Sequence, residues 1–165
     1  RRLSGPAVRI SGLPVLFLQS RACGGSKMSR VVVDDRRCVG CLTCVVSCLD
    51  HHYPDTAVDA VPLRIYRRMV FPSGLVQYCT DSCRHCSDAP CMAVCPAGAL
   101  HRDEYGFVQI NRDACIGCQA CARACPYGIP RFGSDGKMVK CDGCAGQEPA
   151  CVSSCKRGAL KIDGQ

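Results

Sequence analysis

Apolar residues occur along this chain in short runs, not in the long periodic stretches that build large helices or wide sheets. Residues 107–110 are rich in apolar side chains, and Gly106 can take the positive φ of a tight turn, which together predict a β-hairpin over residues 100–110. Residues 63–71 combine apolar and basic side chains within the segment 49–78, where they predict a strand pair on the surface. The pattern favours an α+β fold made of small elements.

The helical segments that the sequence predicts are single turns, and they lie between cysteines. Residues 44–48 and 121–125 each have this character. Pro126 closes the second turn, and Pro96 closes an equivalent one, because proline lacks a backbone N–H and disfavours helical geometry in the residue before it. No proline follows Cys48, so that turn is less sharply ended.

The strongest chemical signal is the run of residues 115–126, in which four cysteines are spaced CxxCxxCxxxC and followed by proline. Three cysteines this close together can wrap one corner of a cubane iron–sulfur cluster, while the fourth reaches a second cluster. A zinc knuckle is the alternative, but tetrahedral zinc sites usually take two cysteines, not three, from each tight loop. The spacing therefore indicates two iron–sulfur clusters at once.

Three further motifs of similar spacing bring the candidate ligands to sixteen. Cys23 and Cys79 are left over, and we expect Cys79 to be a small buried thiol beside a cluster. Because the cysteine sets are complete, we expect His51 and His52 to be exposed polar residues, not ligands. The four motifs are Cys38, Cys41, Cys44, Cys48; Cys83, Cys86, Cys91, Cys95; Cys115, Cys118, Cys121, Cys125; and Cys141, Cys144, Cys151, Cys155.

The chain also contains an internal repeat. Residues 33–44 align with residues 110–121, and residues 91–100 align with residues 151–160, with both of the latter ending in Gly-Ala-Leu. Since the matches include neighbours of the cysteines, they indicate a duplicated scaffold.

Glycines inside the CxxC loops, at positions 40, 117 and 143, let backbone N–H groups approach the cluster sulfurs.

Composition points to metal as the main source of stability. Eighteen of the 165 residues are cysteine, aromatic residues make up 5%, and tryptophan is absent. A conventional core is therefore scarce, and we expect the metal-free chain to be largely disordered, because metal binding to such a site is itself folding free energy. Disulfides are the other use of many cysteines, but repeated CxxC pairs suit a metal better than cross-links between distant segments. A reducing compartment follows from this reasoning.

The formal charge of +7 would ordinarily suggest nucleic acid or an anionic membrane as a partner. Four thiolate-bound cubanes would contribute about −8, which leaves the loaded protein nearly neutral. Basic residues near the cysteines, namely Arg84, Lys140, Lys156 and Arg157, are then as readily counter-charges as solvated surface. We expect no nucleic-acid partner.

Residues 1–27 differ in composition from the rest and are interpreted as a non-structural leader, with Met28 opening a segment that resembles a natural N-terminus and leads into a first strand. No run approaches the roughly 18 apolar residues of a membrane span. From the reducing compartment that the cysteines favour, we expect a cytoplasmic protein, or a periplasmic one if residues 1–27 are an export signal.

The order and spacing of the motifs, with CRHCSDAPCMAVCP at residues 83–96 and KCDGC at residues 140–144, resemble a known family. It comprises the four-cluster iron–sulfur subunits associated with dimethyl sulfoxide reductase, formate dehydrogenases, hydrogenases, carbon monoxide dehydrogenase and tungsten aldehyde oxidoreductases. The resemblance covers residues 30–163. Two departures concern the outer clusters: a short gap between Cys144 and Cys151, and the absence of proline after Cys48 and Cys155.

The resemblance implies two ferredoxin-like lobes with nested ligation. Residues 28–165 would form the double domain, with an inner lobe at about 80–130 and an outer lobe at about 30–50 plus 138–163. The implied sets are site 1 (Cys38, Cys41, Cys44, Cys155), site 2 (Cys83, Cys86, Cys91, Cys125), site 3 (Cys95, Cys115, Cys118, Cys121) and site 4 (Cys48, Cys141, Cys144, Cys151).

The function that this resemblance implies is electron transfer. The chain would relay single electrons through four 4Fe-4S clusters between another redox carrier and a catalytic subunit, which could be a molybdenum or tungsten enzyme, carbon monoxide dehydrogenase or hydrogenase. It is not expected to be an enzyme, because the sequence has no phosphate-binding glycine loop and no nucleophile and base pair. The alternatives are a free polyferredoxin and a zinc-binding interaction module. A radical enzyme would need an unligated iron, and all four sets are full.

Overall fold

The computed structural model describes residues 31–55 and 60–163, so the expectations for residues 1–27 and Cys23 lie outside the described residues. The elements are short, as predicted, and an α+β fold of short helices and small sheets is confirmed. The helices are α1 (Thr43–His52), α2 (Pro90–Ala93), α3 (Ala120–Ala124) and α4 (Ala150–Ser153), with a 3-10 turn at Gly143–Gly146.

The strands of the described residues form four antiparallel sheets of two strands each. Three sheets are local hairpins, β2–β3, β4–β5 and β6–β7, while β1 pairs with the distant β8. The predicted hairpin over residues 100–110 and the predicted strand pair in the 49–78 segment are both confirmed. The strands are β1 (Val31–Val33), β2 (Ile65–Val70), β3 (Val76–Asp81), β4 (Leu100–Arg102), β5 (Val108–Ile110), β6 (Arg131–Phe132), β7 (Met138–Val139) and β8 (Leu160–Ile162).

Helix α1 is longer than the single turn predicted from residues 44–48, and that prediction was wrong in extent. The helix continues for a further turn, to His52. Leu49 follows Cys48 at the place where proline stands in the third motif, so the backbone N–H is kept and the helix runs on. Helix α3, which is closed by Pro126, has only five residues.

The repeat in the sequence is also a repeat in structure. Val33 of β1 is paired with Leu160 of β8, and Ile110 of β5 is paired with Leu100 of β4, so aligned residues occupy equivalent places in the two sheets. Helix α1 packs against α4, and α2 packs against α3. The first and last motifs therefore meet each other, and so do the second and third.

The apolar core of the described residues is divided into small clusters, each of which includes cysteine. One contains Leu100, Val108, Met138 and Cys121. A second joins Leu160 to two cysteines, and a third joins Leu63 and Val139 to one. Apolar burial is thus centred on the cysteine-bearing elements. None of the helices in the described ranges has the length and apolar composition needed to cross a membrane.

Candidate metal centre

The first and third motifs enter their helices through the same backbone conformation. Gly40 and Gly117 both have φ of 69°, and Leu42 and Gln119, which precede α1 and α3, have φ of 63° and 61°. Left-handed residues in such a short loop curl it tightly and keep its cysteines close together. At Gly117 a Cβ atom would lie 2.8 Å from the carbonyl oxygen of Gly136, so only glycine fits without a backbone shift.

All four cysteines of site 3 line one small cavity between α2 and α3. Cys95 comes from the second motif, and the other three come from the third. The remaining wall is apolar and includes Leu100, Phe132 and Met138. The structure therefore brings together donors from two motifs around one small cavity.

The cysteines of site 2 lie close by. Burial, and then the charge of neighbouring Cys83, raise the pKa of the Cys91 thiol, and Cys125 adds to this effect. Three members of the set, from two motifs, are therefore within electrostatic range of one another. Cys86 belongs to the same short loop as Cys83, and its carbonyl oxygen accepts a hydrogen bond from Arg102.

The cysteines of site 4 line a second small cavity. Cys48 from α1 meets Cys141, Cys144 and Cys151 there, and the wall also includes Leu63 and Pro149. Burial raises the pKa of Cys141 to about 12. A thiolate in this position needs a nearby cation, which a metal supplies.

Site 1 is assembled around Cys44. This thiol is buried beside Cys151 and Cys155, so α4 supplies its distant neighbours. Cys41 is exposed and Cys38 is half-buried in the loop before it. Cys79 is half-buried, not fully buried as expected, and interacts electrostatically with Cys38.

The seventeen cysteines of the described residues are free thiols. Sets of four soft sulfur donors suit an iron–sulfur cluster, and they come from tight loops joined to a more distant helix turn, which is the arrangement that clusters use. The residues present therefore fit 4Fe-4S clusters. Disulfide cross-links are absent among these cysteines.

His52 does not behave as the exposed residue that the sequence predicted. It is half-buried, its Nδ1 lies 2.8 Å from the carbonyl oxygen of Cys48, and its Nε2 lies 2.9 Å from Oδ1 of Asp142. Because both ring nitrogens face acceptors, both carry protons, and the hydrogen bond to Asp142 raises the pKa of His52 to about 11. The ring nitrogens of His51 and His52 and Sγ of Cys144 lie within 4.8 Å of one another. His51 is exposed, as predicted.

The four basic residues proposed as counter-charges have different surroundings. Lys140 is buried, and its ammonium donates to the carbonyl oxygens of Val108 and Cys141. Arg84 lies 3.9 Å above the ring of Tyr127. Lys156 and Arg157 are exposed and belong to the solvated surface. Of these four residues, only Lys140 is an interior charge.

Sequence reasoning missed His85, which lies inside the CxxC loop of the second motif. Its Nδ1 accepts a hydrogen bond from the backbone N–H of Val108, and burial followed by the charge of Lys140 lowers its pKa to about 3. The neutral ring therefore carries its proton on Nε2, which has no partner among the described residues. A histidine placed between two ligand cysteines was the available signal.

Known proteins of similar sequence agree with this geometry. Residues 75–165 match the family described as 4Fe-4S dicluster domain. The chain is 39% identical over 146 residues to the probable anaerobic dimethyl sulfoxide reductase chain YnfG of Escherichia coli strain K12, which covers 79% of this chain and 70% of that protein. It is 39% identical over 138 residues to the thiosulfate reductase electron transfer subunit PhsB of Salmonella typhi, covering 78% and 72%.

The chain therefore belongs to the 4Fe-4S dicluster family of iron–sulfur proteins. Within that class it is an electron-transfer subunit and not a catalytic one, as the sequence predicted. The predicted resemblance to iron–sulfur subunits of oxidoreductases and the predicted 4Fe-4S cofactor are confirmed, and the zinc module is set aside.

Proposed function

We propose that this chain holds four 4Fe-4S clusters in two ferredoxin-like lobes and relays single electrons between a catalytic reductase subunit and a second redox carrier. The observation that carries the proposal is the pair of small cavities lined by the complete cysteine sets of sites 3 and 4. Each set combines one cysteine from one motif with three from another, which is the exchange that two-cluster ferredoxins use.

The two lobes are supported by strand and helix pairing. The β1–β8 ladder and the packing of α1 on α4 support an outer lobe at about residues 30–50 plus 138–163. The β4–β5 hairpin and the packing of α2 on α3 support an inner lobe at about 80–130. Sites 1 and 4 would belong to the outer lobe, and sites 2 and 3 to the inner one, with residues 1–27 as a leader outside both.

The proposed sites form a row. Cys44 of site 1 is buried beside Cys151 of site 4. Cys141 of site 4 interacts electrostatically with Cys83 of site 2. Helices α2 and α3 carry ligands of both site 2 and site 3. The order 1, 4, 2, 3 supports transfer in short steps from one end of the chain to the other.

The clusters and the protein contribute different parts of the proposed electron transfer. The clusters supply the one-electron carriers, whose reduction potentials depend on hydrogen bonds to sulfur, net charge and exposure. The protein supplies thiolates in fixed sets, keeps water out with residues such as Met138 and Leu63, and holds neighbouring sites close together. No side chain is needed for bond chemistry.

The partner that we propose is a catalytic reductase subunit of the kind that gives the relatives their names, dimethyl sulfoxide reductase and thiosulfate reductase. The two ends of the row would serve different neighbours, because the hairpin β2–β3 belongs to one half and the smaller β6–β7 to the other. We propose a cytoplasmic location, since so many thiols require a reducing compartment. Residues 1–27 would change this to the periplasm if they direct export.

The content of the loaded protein tests the cluster number. Anaerobically purified protein should contain about sixteen iron and about sixteen sulfide per chain. About eight of each would leave a two-cluster protein and overturn the row of four.

An anaerobic pull-down followed by metal analysis tests the partner. The chain should retain a larger subunit that carries molybdenum or tungsten. Recovery of the chain alone, with electron exchange only to soluble ferredoxin or flavodoxin, would make it a free polyferredoxin.

A further inference from the structure

Arg64 places a positive charge in the interior beside the outer cysteines. It precedes β2 and is 1% exposed, which makes it one of the largest fully buried side chains of the described residues. No ion pair joins it to a carboxylate within residues 31–55 and 60–163. An arginine stays protonated in proteins, and a buried charge without a counter-charge is strongly unfavourable. The described residues therefore supply no carboxylate as a counter-charge for Arg64.

One of the hydrogen-bond donors of the Arg64 guanidinium also has no acceptor among the described residues. NH1 donates to the hydroxyl oxygen of Thr80 over 2.8 Å, and NH2 donates to the hydroxyl oxygen of Ser82 over 3.0 Å. Both hydroxyl groups are buried and neutral. The Nε–H of Arg64 has no acceptor at all among the described residues. Buried donors are nearly always satisfied, so an acceptor is expected here.

The location of Arg64 indicates which acceptor this is. Arg64 and Ser82 line the same cavity as the four cysteines of site 4. A side-chain hydrogen bond with Thr80 lowers the pKa of Cys44 in site 1, and the hydroxyl oxygen of Thr80 also accepts from Arg64. Burial raises the pKa of Cys44, and the charge of Arg64 opposes that shift. One guanidinium therefore acts on both outer sites.

We propose that Arg64 sets the reduction potentials of the two outer clusters, directly at site 4 and through Thr80 at site 1, an inference that rests on the four-cluster function proposed above. The anionic cluster at site 4 is the counter-charge and the acceptor that the guanidinium lacks. Arg64 acts on site 4 through its charge and on site 1 through the hydroxyl group of Thr80. It is therefore a positioning and electrostatic residue, not a ligand.

The direction of the effect follows from charge. Reduction adds one negative charge to a cluster, and a nearby cation in a low-dielectric interior stabilises the reduced form more than the oxidised form. Arg64 thus raises the potentials of sites 1 and 4. Electrons entering the row would be held at this end, next to the β2–β3 hairpin.

The test is a redox titration of the loaded chain, followed by electron paramagnetic resonance. Arg64→Met keeps much of the side-chain volume and removes the charge, so the potentials of sites 1 and 4 should fall while those of sites 2 and 3 stay unchanged. Arg68→Met is the matched control, because Arg68 is exposed on β2, the strand that Arg64 precedes, and its loss changes the net charge equally. It should shift no potential.

Signals are assigned to sites by single Cys→Ser variants at Cys41 and Cys144. Thr80→Val leaves the arginine in place and removes only the hydroxyl group, so it should lower the potential of site 1 alone. If the Arg64→Met protein loses its clusters, the Thr80→Val protein provides the deciding measurement. An unchanged reduction potential of site 1 in that variant overturns the proposal.

The outcome separates this inference from the function on which it rests. Unaltered potentials in Arg64→Met protein with full iron would refute the role of Arg64 and leave the four-cluster row intact. Fewer than four clusters in the unaltered chain would instead refute the row itself.

Discussion

Val33 in β1 pairs with Leu160 in β8, so residues that flank the first and last cysteine motifs share one antiparallel ladder. The ladder is extended by the backbone N–H of Asp34, which donates to the carbonyl oxygen of Ala159 over 2.7 Å. Leu160 is 4% exposed and packs beside Cys44 and Cys151. This contact links apolar burial to two of the outer sites.

Leu160→Ala should therefore release iron from the outer sites. Truncating a buried leucine costs about 2–5 kcal/mol, which here would fall on the elements that hold sites 1 and 4. The rate of bleaching of the visible absorbance under chelator should rise. Leu100→Ala, at the equivalent position of the other sheet, is the matched comparison and should release iron from sites 2 and 3 instead. Identical spectra during release would contradict this assignment.

Asp142→Ala should weaken site 4. Burial disfavours the charge of this carboxylate, but hydrogen bonds from His52 and from the backbone N–H of Cys144 hold the pKa of Asp142 at about 2. Removing it leaves a half-buried imidazolium and an N–H without their acceptor, at a cost of about 1–3 kcal/mol. Iron release from site 4, followed by spectroscopy, should be faster. Asp142→Asn keeps an acceptor oxygen and should have a smaller effect; equal effects would argue against the hydrogen bonds.

Gly117→Ala should damage site 3 more than a change at another left-handed glycine. A Cβ atom there would meet the carbonyl oxygen of Gly136 at 2.8 Å, whereas at Gly128, with φ of 61°, it would meet nothing within 4 Å. The positive φ itself costs about 1–2 kcal/mol in both variants. The difference in iron content between the two purified variants measures the steric term. Equal losses would mean that the backbone at Gly136 can move.

The nested ligation that we propose predicts which cysteine variants share a cluster. Cys155→Ser and Cys38→Ser should alter the same cluster signal, and Cys125→Ser and Cys83→Ser should alter another. Electron paramagnetic resonance of the reduced protein distinguishes the two cluster signals. A shared signal for Cys125 and Cys38 would show that the lobes are formed from other pairs of motifs.

Removing the metal should unfold the chain. The apolar core of the described residues consists of small clusters that each include cysteine, so little cohesion is left without ligand bonds. Chelation should abolish cooperative unfolding and most of the circular dichroism signal. A native-like spectrum of the cluster-free chain would show that the hairpins are stable by themselves.

Most of the elements and candidate ligands that could be predicted followed from cysteine spacing and from the residues that form local turns. The hairpin at residues 100–110 depends on Gly106 and neighbouring side chains, and the short helix α3 depends on Pro126, so each is encoded locally. The extension of α1 to His52 was missed because the sequence signal for it was the absence of a proline after Cys48. That absence was visible, but it does not say how far a helix continues.

Arg64 could not be found in the same way. It stands in a run with Arg67 and Arg68, and all three look like solvated charges in the sequence. Arg67 and Arg68 are both exposed on β2, while Arg64, just before the strand, is buried and donates to Thr80 and Ser82. Which basic residue is buried is decided by the packing of the hairpin on the outer sites.

The pairing of β1 with β8 has a consequence for the order of assembly. The β4–β5 hairpin and helices α2 and α3 are separated by few residues, so the inner sites can form from a contiguous segment as the chain leaves the ribosome. In the proposed ligation the outer sites must wait until β8 has been synthesised, because the β1–β8 ladder and the cysteines assigned to those sites come from both sides of that segment. Closing so long a loop is slow compared with local contacts. We therefore expect the middle of this chain to take up iron first, with the outer pair completed last around it.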